Sequence, residues 1–126
     1  MAGSKSKKTV LVVDDNRQFC ENMKDLLELQ GYAAVTAYSG PGAVEFVRRT
    51  PPDVVLLDIA MPEMDGVTTF RQIRQITPSV PVVLLTGFSE EQRAGEAIQE
   101  GAFCLLQKPP DYHKLFDVIQ QCSKAA

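Results

Sequence analysis

The sequence predicts an α/β protein: an open parallel sheet with helices packed on both faces. Five short aliphatic runs lack in/out alternation, as strands buried on both faces do, and such strands belong to parallel sheets covered by helices. Between the runs, apolar residues recur at helical spacing, so strands and helices alternate strictly, the layout of successive β-α units. The length of 126 residues, with 44% hydrophobic and 23% charged side chains, suits one packed core.

Residues 1–7 are small, polar and basic and read as a flexible arm, which leaves 8–124 as the domain. Thr9–Val13 is a β-branched and aliphatic run too short for a helix. Phe19, Met23, Leu26 and Leu27 then mark an amphipathic helix over Asp15–Gln30, with Asp15 placed to cap it and Gly31 to end it. Ala33–Ala37 is the second strand. Pro41 suits the first turn of a helix that turns Ala43, Val44 and Val47 inward and stops at Pro51 and Pro52. Val54–Leu57 is the third strand, followed by a loop, Asp58–Gly66, and a helix with Val67, Phe70, Ile73 and Ile76 inside. Val80–Leu85 is the fourth strand. Ser89 and Gln92 fit a capping box for a helix with Ala94, Ala97 and Ile98 facing in, closed by Gly101. Gly95 weakens that helix by about 1 kcal/mol relative to Ala, which favours mobility there. Ala102–Leu106 is the fifth strand, and Leu115, Val118, Ile119 and Cys122 mark the last helix. Right-handed crossovers restrict how such units join; the order 2-1-3-4-5 is one common solution that periodicity alone does not select.

Composition excludes several functions. Thirteen basic against 16 acidic residues give a net charge of −3, which disfavours direct nucleic-acid binding. The longest apolar runs, about six residues, are too short to cross a bilayer. The polar N-terminus lacks the apolar segment of a signal peptide, so a cytoplasmic setting is expected. Cys20, Cys104 and Cys122 are odd in number and widely spaced, which points to packed thiols and to neither disulfides nor a zinc site. The single histidine, His113, reads as surface.

In an open parallel sheet the ligand crevice lies beyond the carboxyl ends of the strands. The first strand ends in Asp14 and Asp15, the third in Asp58 and the fourth in Thr86, while the fifth runs into Lys108. Three adjacent carboxylates repel one another, and a hard divalent cation such as Mg²⁺ resolves the repulsion. Three carboxylates, Mg²⁺ and Lys108 sum to about zero formal charge; esterifying Asp58 with a phosphoryl group of charge roughly −2 moves the sum only to about −1. Phosphoryl transfer asks for positioning and charge compensation above all. Asp58 is then the nucleophile, Asp14 and Asp15 position the metal, and Thr86 and Lys108 donate to phosphoryl oxygens.

Four segments, Val10–Asp15 (VLVVDD), Val54–Gly66 (VVLLDIAMPEMDG), Val82–Gly87 (VVLLTG) and Leu106–Pro109 (LQKP), together resemble the receiver, or response-regulator, domains of two-component signalling. The likeness runs from about Lys8 to Lys124, and the ordered set is far more specific than any single pair. It implies the flavodoxin-like three-layer sandwich of strand order 2-1-3-4-5, with a cis Lys108–Pro109 peptide. It implies a phosphoacceptor regulator that assists only its own phosphorylation and dephosphorylation, not a turnover enzyme. Asp58 would take its phosphoryl group from a histidine kinase or histidine phosphotransfer protein. Asp15, Asp58 and the Ala60 main-chain carbonyl would bind Mg²⁺ (or Mn²⁺) directly and Asp14 through water. Thr86 and Lys108 would contact the phosphoryl group. The signal would leave through the face of the fourth helix, fifth strand and fifth helix toward a downstream output domain or protein; homodimerisation there is compatible with the sequence.

The chain departs from the family pattern in three places. Leu105 stands where the switch aromatic ring is common, and Phe103, two residues earlier on the same strand face, is the candidate substitute. Pro110 replaces a common Phe, and Ala60 a larger side chain, with Phe88 as alternative cover for the site. Two other readings compete. A degenerate receiver would serve only as a protein-interaction module. A haloacid-dehalogenase-like phosphatase also uses an Asp nucleophile, but in a DxD motif after the first strand, where this chain has adjacent aspartates.

Overall fold

A computed structural model describes residues 7–61, 65–87 and 91–125. Strand and helix alternate through β1 (Thr9–Val13), α1 (Arg17–Leu29), β2 (Ala33–Ala37), α2 (Gly40–Arg49), β3 (Val54–Asp58), α3 (Gly66–Ile76), β4 (Val82–Thr86), α4 (Glu91–Gln99), β5 (Cys104–Gln107) and α5 (Tyr112–Ala125). The strands form one parallel sheet in the order β2-β1-β3-β4-β5. This is the flavodoxin-like arrangement the resemblance implies, and the Lys108–Pro109 peptide is cis. Among the described residues no helix is long and apolar enough to cross a membrane.

Alternate strand residues feed two cores. Leu11, Val13, Val55, Leu57 and Leu84 pack with α2, α3 and α4 residues, Phe70 and Ile73 among them. Val10, Val12, Val54, Leu56 and Leu85 pack on the opposite face with Met23 and Leu27 of α1 and Leu115 and Ile119 of α5. Each fully buried side chain of this kind contributes about 1.5–3 kcal/mol. The thiols of Cys20 and Cys122 lie in the second core, where burial above all pushes both up to about 12, so neither is a thiolate at neutral pH.

The structure corrects several sequence expectations. Asn16, not Asp15, caps α1, its side chain accepting from the Phe19 amide at 3.0 Å. Ile98 is exposed, because α4 meets the sheet through the small faces of Ala94 and Ala97. β4 begins at Val82, since Pro81 lacks the amide a ladder needs, and β5 at Cys104. Phe103 opposes Val82, its amide donating to the Val82 carbonyl, at the far end of β4 from Thr86. The two rows are separated by about 13 Å at 3.3 Å per residue, so the Phe103 ring cannot stand in for an aromatic at position 105. The Ser89 cap and the Phe88 cover fall outside the described residues.

Two glycines separate packing from propensity. A Cβ on Gly66 would lie 2.5 Å from the Ile59 Cα and 2.7 Å from the Asp58 carbonyl oxygen. The start of α3 thus rests directly on the backbone that carries Asp58. A Cβ on Gly95 would meet nothing within 4 Å. In urea melts Gly66→Ala should lose about 2–3 kcal/mol, the cost of forced overpacking, while Gly95→Ala should gain about 0.5–1 kcal/mol. Equal effects at the two positions would contradict this account.

Candidate functional site

Three strand ends and one loop assemble the polar cluster. β1 delivers Asp14 one residue beyond Val13, and its amide extends the ladder by donating to the Ala37 carbonyl at 3.1 Å. Asp58 is the last residue of β3. The next residue, Ile59, is buried, donates to the Leu85 carbonyl and accepts from the Gly66 amide at 2.7 Å. Lys108 leaves β5 with its amide on the Thr86 carbonyl at 2.8 Å, which ties its backbone to the end of β4.

Within this frame Asp14, Asp15 and Asp58 bring carboxylate oxygens within 4.8 Å of one another; Asp14 and Asp58 are buried and Asp15 is exposed. The Lys108 ammonium donates to Asp14 Oδ2 at 2.7 Å and stands 3.8 Å from Asp58 Oδ2. The Asn16 amide donates to Asp14 Oδ1 at 2.9 Å and the Ala60 amide to Asp58 Oδ1 at 3.2 Å. Thr86 is buried one step beyond the row in which Asp58 opposes Leu85. Its hydroxyl donates to the Gly87 carbonyl at 3.0 Å. Leu105 is half-buried, packed on the core face shared with α3 and α4. His113 is exposed.

The electrostatics are lopsided. Burial, then the Asp14 charge, pushes Asp58 up to about 6; Lys108 and the Ala60 amide pull the other way without cancelling the rise. Burial works against the Lys108 ammonium, but the hydrogen bond to Asp14 and the charges of Asp58 and Asp14 outweigh it, so its net direction is up. Among the described residues a single cation, Lys108, pairs with the two buried carboxylates and sits closer to Asp14. Hard oxygen donors with excess negative charge fit a hard divalent cation, and one placed among them would pull Asp58 downward.

Beyond the residues the sequence singled out, Asp65 caps α3 by accepting from the Thr68 amide at 2.9 Å and pairs with Arg93 of α4 at 2.6 Å. Arg93 carried no sequence signal, since an arginine on a helix is ordinarily a solvated charge. Helical periodicity marks Phe19 only as an inward position of α1, yet its ring centroid lies 4.7 Å from Lys108 Nζ. A residue at the edge of a helix's apolar stripe has a second neighbour that periodicity does not specify.

Three comparisons bear on this arrangement. A family model described as the response regulator receiver domain matches residues 10–120. The transcriptional regulatory protein ZraR of Salmonella typhimurium is 38% identical over 117 residues, 93% of this chain and 26% of the relative. ZraR of Escherichia coli is 41% identical over 112 residues, 89% of this chain and 25% of that protein. The chain therefore spans about a quarter of the length of the curated relatives it matches. A crystal structure of a response regulator receiver domain protein from Clostridium thermocellum superposes with a TM-score of 0.90 at 33% identity, covering 94% of this chain and 95% of that one.

The raised position of Asp58 makes its ionisation favour unfolding. Its contribution to stability is full below pH about 4 and is lost as pH rises through about 6. Asp58→Asn, which cannot ionise, should match the parent chain near pH 3.5 in chelator. It should exceed the parent by on the order of 2 kcal/mol at pH 7.5. Urea melts at the two pH values check this, and a gap that fails to open with pH would refute it.

Proposed function

The chain belongs to the response regulator receiver domain family, and from that premise we propose that Asp58 is its phosphoacceptor, loaded in a Mg²⁺-dependent reaction from a phosphohistidine on a kinase or phosphotransfer partner. The observation that supports this best is the Lys108 ammonium held between two buried carboxylates, with a third carboxylate within 4.8 Å. In the reaction an Asp58 carboxylate oxygen attacks phosphorus, the O–P bond forms, the N–P bond breaks, and the imidazole leaves with the electron pair. Asp15, Asp58 and the Ala60 carbonyl are the proposed metal ligands, with Asp14 acting through water. Bound Mg²⁺ would supply positive charge against the acceptor and the transferring oxygens.

This chain's own residues do the rest. The Ala60 amide holds Asp58 Oδ1, which leaves Oδ2 as the oxygen on the Lys108 side. Lys108 turns an N–H from Asp14 to a phosphoryl oxygen, a short move for an ammonium with three donors. Thr86 exchanges its Gly87 acceptor for another phosphoryl oxygen. The state so formed is read on the face of α4, β5 and α5 as a population shift between two packings. The relatives are about four times longer and are named as transcriptional regulators, which supports an output region or partner downstream of this domain. A cytoplasmic setting, shared with the kinase, completes the reading. Leu105 favours a second possibility, a module that binds partners without switching, because it offers neither ring nor hydroxyl to follow Thr86.

With Mg²⁺ and acetyl phosphate, intact-mass spectra should gain about 80 Da, one HPO₃. The gain should vanish in Asp58→Asn and in chelator, and Lys108→Ala should slow it about 30- to 100-fold, the loss of a charge-assisted hydrogen bond. A gain that survives Asp58→Asn overturns the assignment. Beryllofluoride with Mg²⁺ should shift amide resonances at Thr86 and along α4; unchanged spectra would leave only the binding module. Steady turnover of a phosphomonoester would instead indicate a phosphatase.

A further inference from the structure

Lys108 has a third neighbour besides its two carboxylates. The Phe19 ring lies beneath the ammonium, with its centroid 4.7 Å from Nζ, inside the range where a ring's negative face attracts a cation. Local structure sets that ring deliberately. Asn16 donates its amide to Asp14 Oδ1 and accepts the Phe19 amide on its own side-chain oxygen. The acid at the end of β1 and the first turn of α1 are therefore joined through one residue. Helical side chains lean toward the N-terminus of their helix, so a residue in the first turn of α1 leans toward the strand ends. The neighbouring cation, Arg17, is engaged elsewhere, over the Tyr38 ring at 4.1 Å.

Resting on the reading that Asp58 is a phosphoacceptor, we propose that Phe19 is a positioning residue for the reaction: its ring face keeps the Lys108 ammonium over the Asp14–Asp58 pair while leaving its N–H groups free to turn to a phosphoryl oxygen. An aliphatic side chain in the same place would desolvate the ammonium and give nothing back. A carboxylate or amide would accept a hydrogen bond and hold the donor away from the phosphoryl group. A π face attracts the charge from one side without a directional acceptor. It also excludes water from a cation that is already largely shielded, with its side chain 28% exposed.

A graded test separates this from simple packing. Site-specific replacement of Phe19 by 4-fluoro-, 3,5-difluoro- and 3,4,5-trifluorophenylalanine drains the ring face while nearly conserving shape. With acetyl phosphate and Mg²⁺ the phosphorylation rate should fall stepwise, to about 3- to 10-fold below the parent for the trifluoro ring. Urea midpoints should stay constant across the series. Phe19→Leu should be as slow as the trifluoro chain, and Phe19→Tyr should recover the parent rate. The ε-methylene protons of Lys108 should resonate upfield in the parent, by ring current, and move downfield in Phe19→Leu. A flat fluorine series, or Phe19→Leu at the parent rate, overturns the proposal while leaving Asp58 as acceptor. If the parent takes up no phosphoryl group, the reading of Asp58 fails, and the Lys108 proton shift alone then judges the ring contact. A shift unmoved by Phe19→Leu overturns it.

Discussion

Because β1 and β3 are buried between two helical layers, neither face of the sheet offers a place for a charged side chain. Val10 to Val13 of β1 and Val54 to Leu57 of β3 all meet an apolar core on one face or the other. Polar chemistry is confined to the strand ends, and the parallel arrangement collects all the carboxyl ends at one rim. Asp14, Asp58, Thr86 and Lys108 share that rim because each stands where a buried run stops. The order β2-β1-β3-β4-β5 places the two acid-bearing strands side by side, with Thr86 on the next strand and Lys108 just after the last.

The same burial makes the cluster expensive for the fold. Asp14 has an ammonium at 2.7 Å and a backbone amide, whereas Asp58 has the ammonium at 3.8 Å and one amide. The two buried carboxylates are therefore unequal, and the less compensated one is the one at the end of the central strand. A carboxylate short of positive charge is one that a nearby cation could stabilise. Lys108 and the Ala60 amide keep the deficit small enough for the chain to fold around it.

The architecture was legible because apolar runs of five or so residues and a 3.6-residue period are long-range consequences of burial. The ordered Asp14, Asp15, Asp58, Thr86 and Lys108 were legible because they interrupt those runs at the same end. What escaped was whatever depends on height along an element or on a second neighbour. Phe103 shares a strand face with Leu105, yet the β4–β5 register sets it at the opposite end from Thr86. Ile98 follows the helical period but α4 contacts the sheet through alanines, which leaves the larger side chain outside. Asp15 and Asn16 are both good caps in isolation, and the choice fell to Asn16 because α1 begins at Arg17.

Asp65 ends one helix and touches another. Its carboxylate closes the first turn of α3 and, at 2.6 Å, meets Arg93 in a pair whose side chains are 35% and 44% exposed. A solvated pair of this kind is worth about 0.2–1 kcal/mol, little more than thermal energy. It behaves as a detent and not as a weld: a pair this weak joins α4 to the start of α3 at little cost to break. The carboxylate loses nothing essential on release, since the Thr68 amide still holds it. One acidic residue thus anchors the start of α3 through a cap and touches α4 through a much weaker pair.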